Sequence, residues 1–100
     1  MIITISIVKG KDKGLVKEFS SLPISIGRFP DNDYILSDPL VSRRHSMLYL
    51  DENKLTICDI DSTNGIYLNK ERLLEPRHVS NDDFVILGKT ILQLKIITND

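Results

Sequence analysis

Ile3-Thr4-Ile5-Ser6-Ile7-Val8, near the start of the chain, places isoleucine at every second position. Successive side chains of an extended strand point to opposite faces, so this period of two describes a strand with one face in a core. The same pattern recurs along the chain. Leu92, Leu94 and Ile96 alternate with Gln93 and Lys95, Ile24 and Ile26 flank Ser25, and Leu55 and Ile57 flank Thr56. Met47-Leu48-Tyr49-Leu50 breaks the alternation, which fits a strand covered on both faces or one whose facing the pattern leaves open. No window shows the i, i+3, i+4, i+7 spacing of an amphipathic helix. The glycines (10, 14, 27, 65, 88) and prolines (23, 30, 39, 76) fall at or between the ends of the apolar runs. Gly10-Lys11-Asp12-Lys13-Gly14 predicts a hairpin loop joining residues 2–9 to 15–19, and Asn64-Gly65 predicts a tight turn. About ten short strands at roughly ten residues each predict an all-β, antiparallel sandwich or barrel with essentially no helix. The strands begin at Ile2 and end near Thr98, so a single domain is expected over residues 1–100.

Composition narrows the function classes. The chain has 100 residues, 41% of them hydrophobic and 27% charged, the profile of a folded domain and not of a disordered segment. A chain of this length buries roughly 60–70% of its unfolded surface, enough to fold without a metal or disulfide staple. Its one cysteine, Cys58, excludes an internal disulfide and fits a reducing, cytoplasmic compartment. Its expected role is that of a small hydrophobe in a strand. No apolar run approaches the ~20 residues of a membrane span, and residues 1–6 carry neither the basic start nor the cleavage site of a signal peptide. Thirteen Lys+Arg against fourteen Asp+Glu leave a net charge of −1, so no global positive field exists to bind nucleic acid. Any anion site must be built from a few placed groups.

Three clusters supply such groups: Gly27-Arg28 at the end of one strand, Ser42-Arg43-Arg44-His45 opening another, and Asp59-Ile60-Asp61-Ser62-Thr63-Asn64-Gly65-Ile66 between two strands. The polar stretch from Phe29 to Ser46 carries the second cluster, and the loops of a rigid sandwich are where function sits. A sandwich gathers its loops at two ends, so all three clusters can share one rim. Arginine presents a planar fork of N–H donors that matches phosphate oxygens. Ser42 and Thr63 add hydroxyls, and Asn64 offers both a donor and an acceptor to an extended peptide. A phosphorylated side chain brings about −1.5 to −2 charges and three acceptor oxygens. The kit suits such a group better than a free nucleotide, since neither GxxxxGK[ST] nor GxGxxG is present.

In order and spacing, Gly27-Arg28, Ser42-Arg43-Arg44-His45 and Asp59-x-x-Ser62-x-Asn64-Gly65 resemble the signature of forkhead-associated (FHA) domains, with the resemblance running from about Ile24 to Ile96. It implies an eleven-stranded β-sandwich that binds phosphothreonine peptides through loops at one end. By the same resemblance Arg28 and Ser42 contact the phosphate, and Arg43 contacts the phosphate or the neighbouring peptide. Thr63 approaches the phosphothreonine, and Asn64 holds the peptide main chain. Gly27, His45 and Gly65 support the site. The implied partner is a protein phosphorylated on threonine by a Ser/Thr kinase, and the implied role is that of a signalling adaptor without cofactor, metal or catalysis. The sequence departs from the family pattern at Ile66, at Asn69-Lys70 and at Asp82, which replaces a turn glycine.

Other readings of the same residues are weaker. Arg43 is preferred to Arg44 for the ligand, because neighbours on a strand point opposite ways. Asp59 reads as a structural acceptor, and Asp31, Asp33, Asp51, Asp61, Asp82 and Asp83 read as solvated loop carboxylates. Ser42, His45 and Asp59 are the residue types of a hydrolase triad, but no GxSxG elbow or glycine-rich oxyanion segment accompanies them. The alternative from another class is a phosphate-independent scaffold or self-association module, and the set Arg28, Ser42 and Asn64 argues against it.

Overall fold

Two stacked β-sheets make up the fold of the computed structural model, which describes residues 1–98. Asn99 and Asp100, the last two residues of the expected domain, lie outside the described residues. There are eleven strands: β1 (Ile2–Lys9), β2 (Val16–Phe19), β3 (Ile24–Gly27), β4 (Tyr34–Ile35), β5 (Ser46–Asp51), β6 (Lys54–Asp59), β7 (Ile66–Leu68), β8 (Glu71–Arg72), β9 (Arg77–His78), β10 (Phe84–Leu87) and β11 (Thr90–Ile97). No helix forms among the described residues. One sheet has the order β2-β1-β11-β10-β7-β8 and the other β4-β3-β5-β6-β9.

The period of two becomes the core. In the β1–β11 pair, Ile3 faces Ile96, Ile5 faces Leu94 and Ile7 faces Leu92, so two apolar faces read in sequence merge into one. Ile3, Ile5, Ile7, Leu92 and Leu94 are all buried there, and Ile24, Ile26, Leu48 and Ile57 close the core from the other sheet. The ambiguous run in β5 resolves into alternation: Leu48 is buried, while Met47 and Tyr49 are half-buried on the outer face. Leu50 lies beside the hairpin turn and is exposed.

One strand pair departs from the antiparallel pattern. Strands β3 and β4 pair in parallel, Ile26 with Tyr34 and Gly27 with Ile35. The connection between them doubles back on itself: the Asn32 N–H and Nδ2 both donate to the Phe29 carbonyl, and the Ser25 N–H and Oγ meet the Asp33 carboxylate. The chain thus re-enters beside β3 running the same way. The stretch read as an open polar loop is therefore anchored. Asn32, Tyr34, Leu36 and Asp38 are buried and alternate with exposed neighbours. The Tyr34 hydroxyl crosses the core to donate to the Ile5 carbonyl at 3.1 Å. Burial first, and then the Asp12 charge, push its phenol up to about 12, so it stays a donor.

Two hairpins turn on residue pairs in the left-handed region, Glu52-Asn53 (φ 51° and 65°) and Asn69-Lys70 (φ 49° and 78°). A type I′ two-residue hairpin turn needs that geometry at both positions. Asp82, which stands where the family has glycine, also has a positive φ of 71°.

Candidate functional site

The loops after β3, before β5 and between β6 and β7 meet at one end of the sandwich. There Arg28, Ser42, Arg43, Arg44, Asp61 and Thr63 line a polar depression of about 290 Å³. All three sequence clusters contribute to it. Arg28 leaves β3 with its N–H on the Ser42 carbonyl, and its Nε donates to the Val41 carbonyl at 3.1 Å. With Nε engaged, the two terminal nitrogens of the fork are the donors left for an anion. The Arg43 guanidinium lies 5.1 Å from the centre of the Phe29 ring, a cation–π contact that limits its freedom before any ligand arrives.

Gly27 is required by space and not by φ. A Cβ there would fall 2.3 Å from the Arg43 carbonyl oxygen and 2.8 Å from Asn32 Nδ2. Both neighbours are part of the site's frame, since Asn32 Nδ2 also donates to the Arg43 carbonyl at 2.7 Å.

His45 is the fastening of the loop end. It is fully buried. Its Nδ1 accepts from the Ser42 N–H at 2.9 Å, so the ring proton sits on Nε2, which donates to the Gly65 carbonyl at 2.8 Å. Its own N–H and carbonyl pair with Ile26 and Ile60. One residue therefore ties three connections together. Gly65 has a φ of 78°, and its N–H donates to Ser62 Oγ. Asp59 accepts from both the N–H and the hydroxyl of Ser62, each at 2.7 Å, which makes it the structural acceptor it was read as.

Ser42 Oγ accepts from the Thr63 N–H at 3.0 Å. That bond occupies a lone pair and leaves the hydroxyl hydrogen to donate into the depression. Asn64 stands beside the depression and not in its lining. Its Nδ2 donates to the Leu40 carbonyl at 2.8 Å, which leaves its second amide hydrogen and Oδ1 to offer outward. Thus the structure brings Arg28, Ser42, Arg43 and Thr63 into one cavity, with Asn64 on its rim.

The choice of Arg43 over Arg44 rested on strand alternation, and that premise does not hold. Strand β5 starts at Ser46, both arginines precede it, and both line the depression. Arg44 differs in being ion-paired with Asp31 in the open, both side chains about half exposed. Asp61 is a further lining residue that sequence reading left in solvent. Asn32 was missed as well. Its only signal was an asparagine between two aspartates at a strand end, where side chains bond to nearby backbone.

Fold and depression together define a β-sandwich whose loop end gathers three arginines and two hydroxyls around one depression. The chain belongs to the FHA domain family, which it matches over residues 24–88. It is 42% identical over 65 residues to the glycogen accumulation regulator GarA of Mycobacterium tuberculosis, a match spanning 65% of this chain and 40% of GarA. It is 30% identical over 89 residues to the FHA domain-containing protein FhaB of the same organism, spanning 89% of this chain and 57% of FhaB. The chain thus corresponds to only part of these relatives. Its fold superposes on the FHA domain of an Arabidopsis thaliana hypothetical protein with a TM-score of 0.91 at 23% identity, covering 99% of this chain and 88% of that one.

Proposed function

We propose that this protein is a phosphothreonine-dependent protein-binding module, with the loop-end depression as its phosphate site. The observation that carries the reading is the convergence of Arg28, Ser42, Arg43 and Thr63 on one cavity whose walls are already locked by His45 and Asn32. Donors held in place before binding lose little entropy on contact. In this reading Arg28 meets the phosphate with its terminal nitrogens, and the Ser42 hydroxyl donates to a further oxygen. Arg43 adds charge from its seat on Phe29, and Thr63 closes the rim. Asn64 pairs with the main chain of the peptide. The partner is a protein bearing a phosphothreonine written by a Ser/Thr kinase, and the role is that of a non-catalytic cytoplasmic adaptor formed by residues 1–100 as one domain. No described helix is long and apolar enough to cross a membrane.

Fluorescence anisotropy against a degenerate phosphothreonine peptide library tests this, with matched phosphoserine and unphosphorylated libraries and Arg28→Ala as control. Binding confined to phosphothreonine and lost in the variant is the expected result. Equal binding of the unphosphorylated library by folded protein overturns the reading in favour of a phosphate-independent scaffold.

A further inference from the structure

The outer face of the six-stranded sheet carries a feature that phosphate recognition does not use. Strand register sets Tyr67, Ile86 and Ile91 in a row across β7, β10 and β11, since Ile86 faces Tyr67 on one side and Ile91 on the other. All three lie on the side of the sheet away from the core, where alternation predicts polar residues. Phe84 extends the patch and is 42% exposed.

Two depressions of about 320 Å³ each share Ile86 and Ile91 as their floor. One is closed by Lys9 and Lys89, the other by Val8, Phe84, Asn69 and Lys70. Three lysines and no carboxylate line them, in a chain whose net charge is −1. The carboxylates nearby are engaged elsewhere: Asp83 accepts from Asn69 Nδ2 and the Ser80 N–H, and Asp82 pairs with Lys95. A third depression, of about 450 Å³, adjoins these through Lys89 and is lined by Gly10, Lys11, Asp38, Pro39 and Leu40. Leu40 is the residue whose carbonyl holds Asn64. An apolar, lysine-edged path therefore runs from the rim of the phosphate site, over the β10–β11 turn, to the middle of the outer sheet face.

We propose that this path is a second docking surface for the phosphorylated partner protein, which lays an acidic segment with interspersed apolar side chains along it; the proposal rests on the phosphothreonine reading of the loop end. Lysines beside apolar floor select carboxylates beside apolar side chains, because the opposite pattern strands like charges at the rim. The two sites act on one chain, so the second raises affinity through effective concentration. An extension of roughly ten residues reaches about 33 Å, comparable with the 39 Å long axis of the molecule.

The probes are a short phosphothreonine peptide, the same peptide extended by alternating Glu and Leu or Phe, a counterpart with Lys for Glu, and the acidic extension alone. Amide signals of the 15N-labelled protein are followed for each. The acidic extension alone is expected to move the signals of Phe84, Ile86 and Ile91, and the extended phosphopeptide to bind at least about tenfold tighter than the short one. Lys70→Glu and, separately, Phe84→Ser are expected to cancel that gain and leave short-peptide affinity unchanged. Both residues are exposed. The proposal is overturned by unmoved signals at Phe84, Ile86 and Ile91, by an equal gain from the lysine counterpart, or by peptide-free, concentration-dependent movement of those signals, which would give the face to a second copy of this chain. A short phosphopeptide that fails to move Arg28, Ser42 and Thr63 overturns the phosphate reading instead, and the acidic extension alone still reports on the face.

Discussion

Arg28 and Asp61 pull the depression in opposite directions. Arg28→Ala removes the fork facing the phosphate and is expected to cost about 2–5 kcal/mol of phosphopeptide binding, at least tens-fold in affinity. A titration showing less than threefold loss would remove Arg28 from the site. Asp61 brings a carboxylate to the lining of the proposed phosphate site. Asp61→Asn is therefore expected to tighten phosphopeptide binding by roughly two- to fivefold at low salt, with the gain shrinking as salt screens it. Unchanged affinity in low-salt titrations would show that Asp61 points away from the phosphate. At Lys70, a φ of 78° on a residue with a Cβ holds strain that glycine relieves. Lys70→Gly is expected to raise stability by up to about 1 kcal/mol, or roughly 4–8 °C in Tm; calorimetry checks it.

The loop before β5 shows how an element is held by its polar residues. His45→Ala would leave the Ser42 N–H and the Gly65 carbonyl without partners in a buried place. The expected loss is about 2–4 kcal/mol of stability, read from the urea midpoint, together with weaker phosphopeptide binding. Asp38 holds the same loop from its other end, accepting from the N–H groups of Leu40 and Lys89 and from the Thr90 hydroxyl. Burial alone pushes its carboxyl up, but those three donors and the Lys89 charge outweigh burial and bring it below its ordinary value. A carboxyl lowered in the folded state stabilises fully at neutral pH, and that contribution is lost as pH falls below about 4. The urea midpoint of the wild type should drop through that range, and that of Asp38→Asn should drop less. A parallel fall in both proteins would move the acid sensitivity to another group. In β6, Cys58 is half-buried, the small strand residue expected of it, and burial above all raises its thiol above the ordinary value.

At the scale of the whole molecule, the family match over residues 24–88 leaves out three strands of the six-stranded sheet, β1, β2 and β11. Strand β1 from the start of the chain and β11 from its end lie side by side in the six-stranded sheet, and β11 also carries β10. A fragment of residues 24–88 would expose Val85, Leu87 and Ile66, which are now fully buried. It is expected to be unfolded, with narrow amide dispersion and no cooperative transition; a folded fragment would mean that the second sheet stabilises itself.

Local periodicity and residue chemistry at fixed spacing are readable along the chain before any fold is known. The alternation of Ile3, Ile5 and Ile7 with polar neighbours dictates a one-sided strand wherever it lies, and glycine and proline mark turns through their own backbone geometry. The donors of Arg28, Ser42 and Thr63 are legible as candidates because phosphate binding uses groups of those types. Tertiary structure alone decided which strands became neighbours, and with that which residues share a cavity. The parallel β3–β4 pair, the alternating burial of Asn32, Tyr34, Leu36 and Asp38, and the presence of Arg44 and Asp61 in the depression all depend on loops pinned by partners far along the chain. A polar side chain reads as solvated until its distant partner is in place. Asn32 needs the Arg43 carbonyl and Asp38 needs the Lys89 N–H, and no spacing within one stretch of sequence encodes either contact.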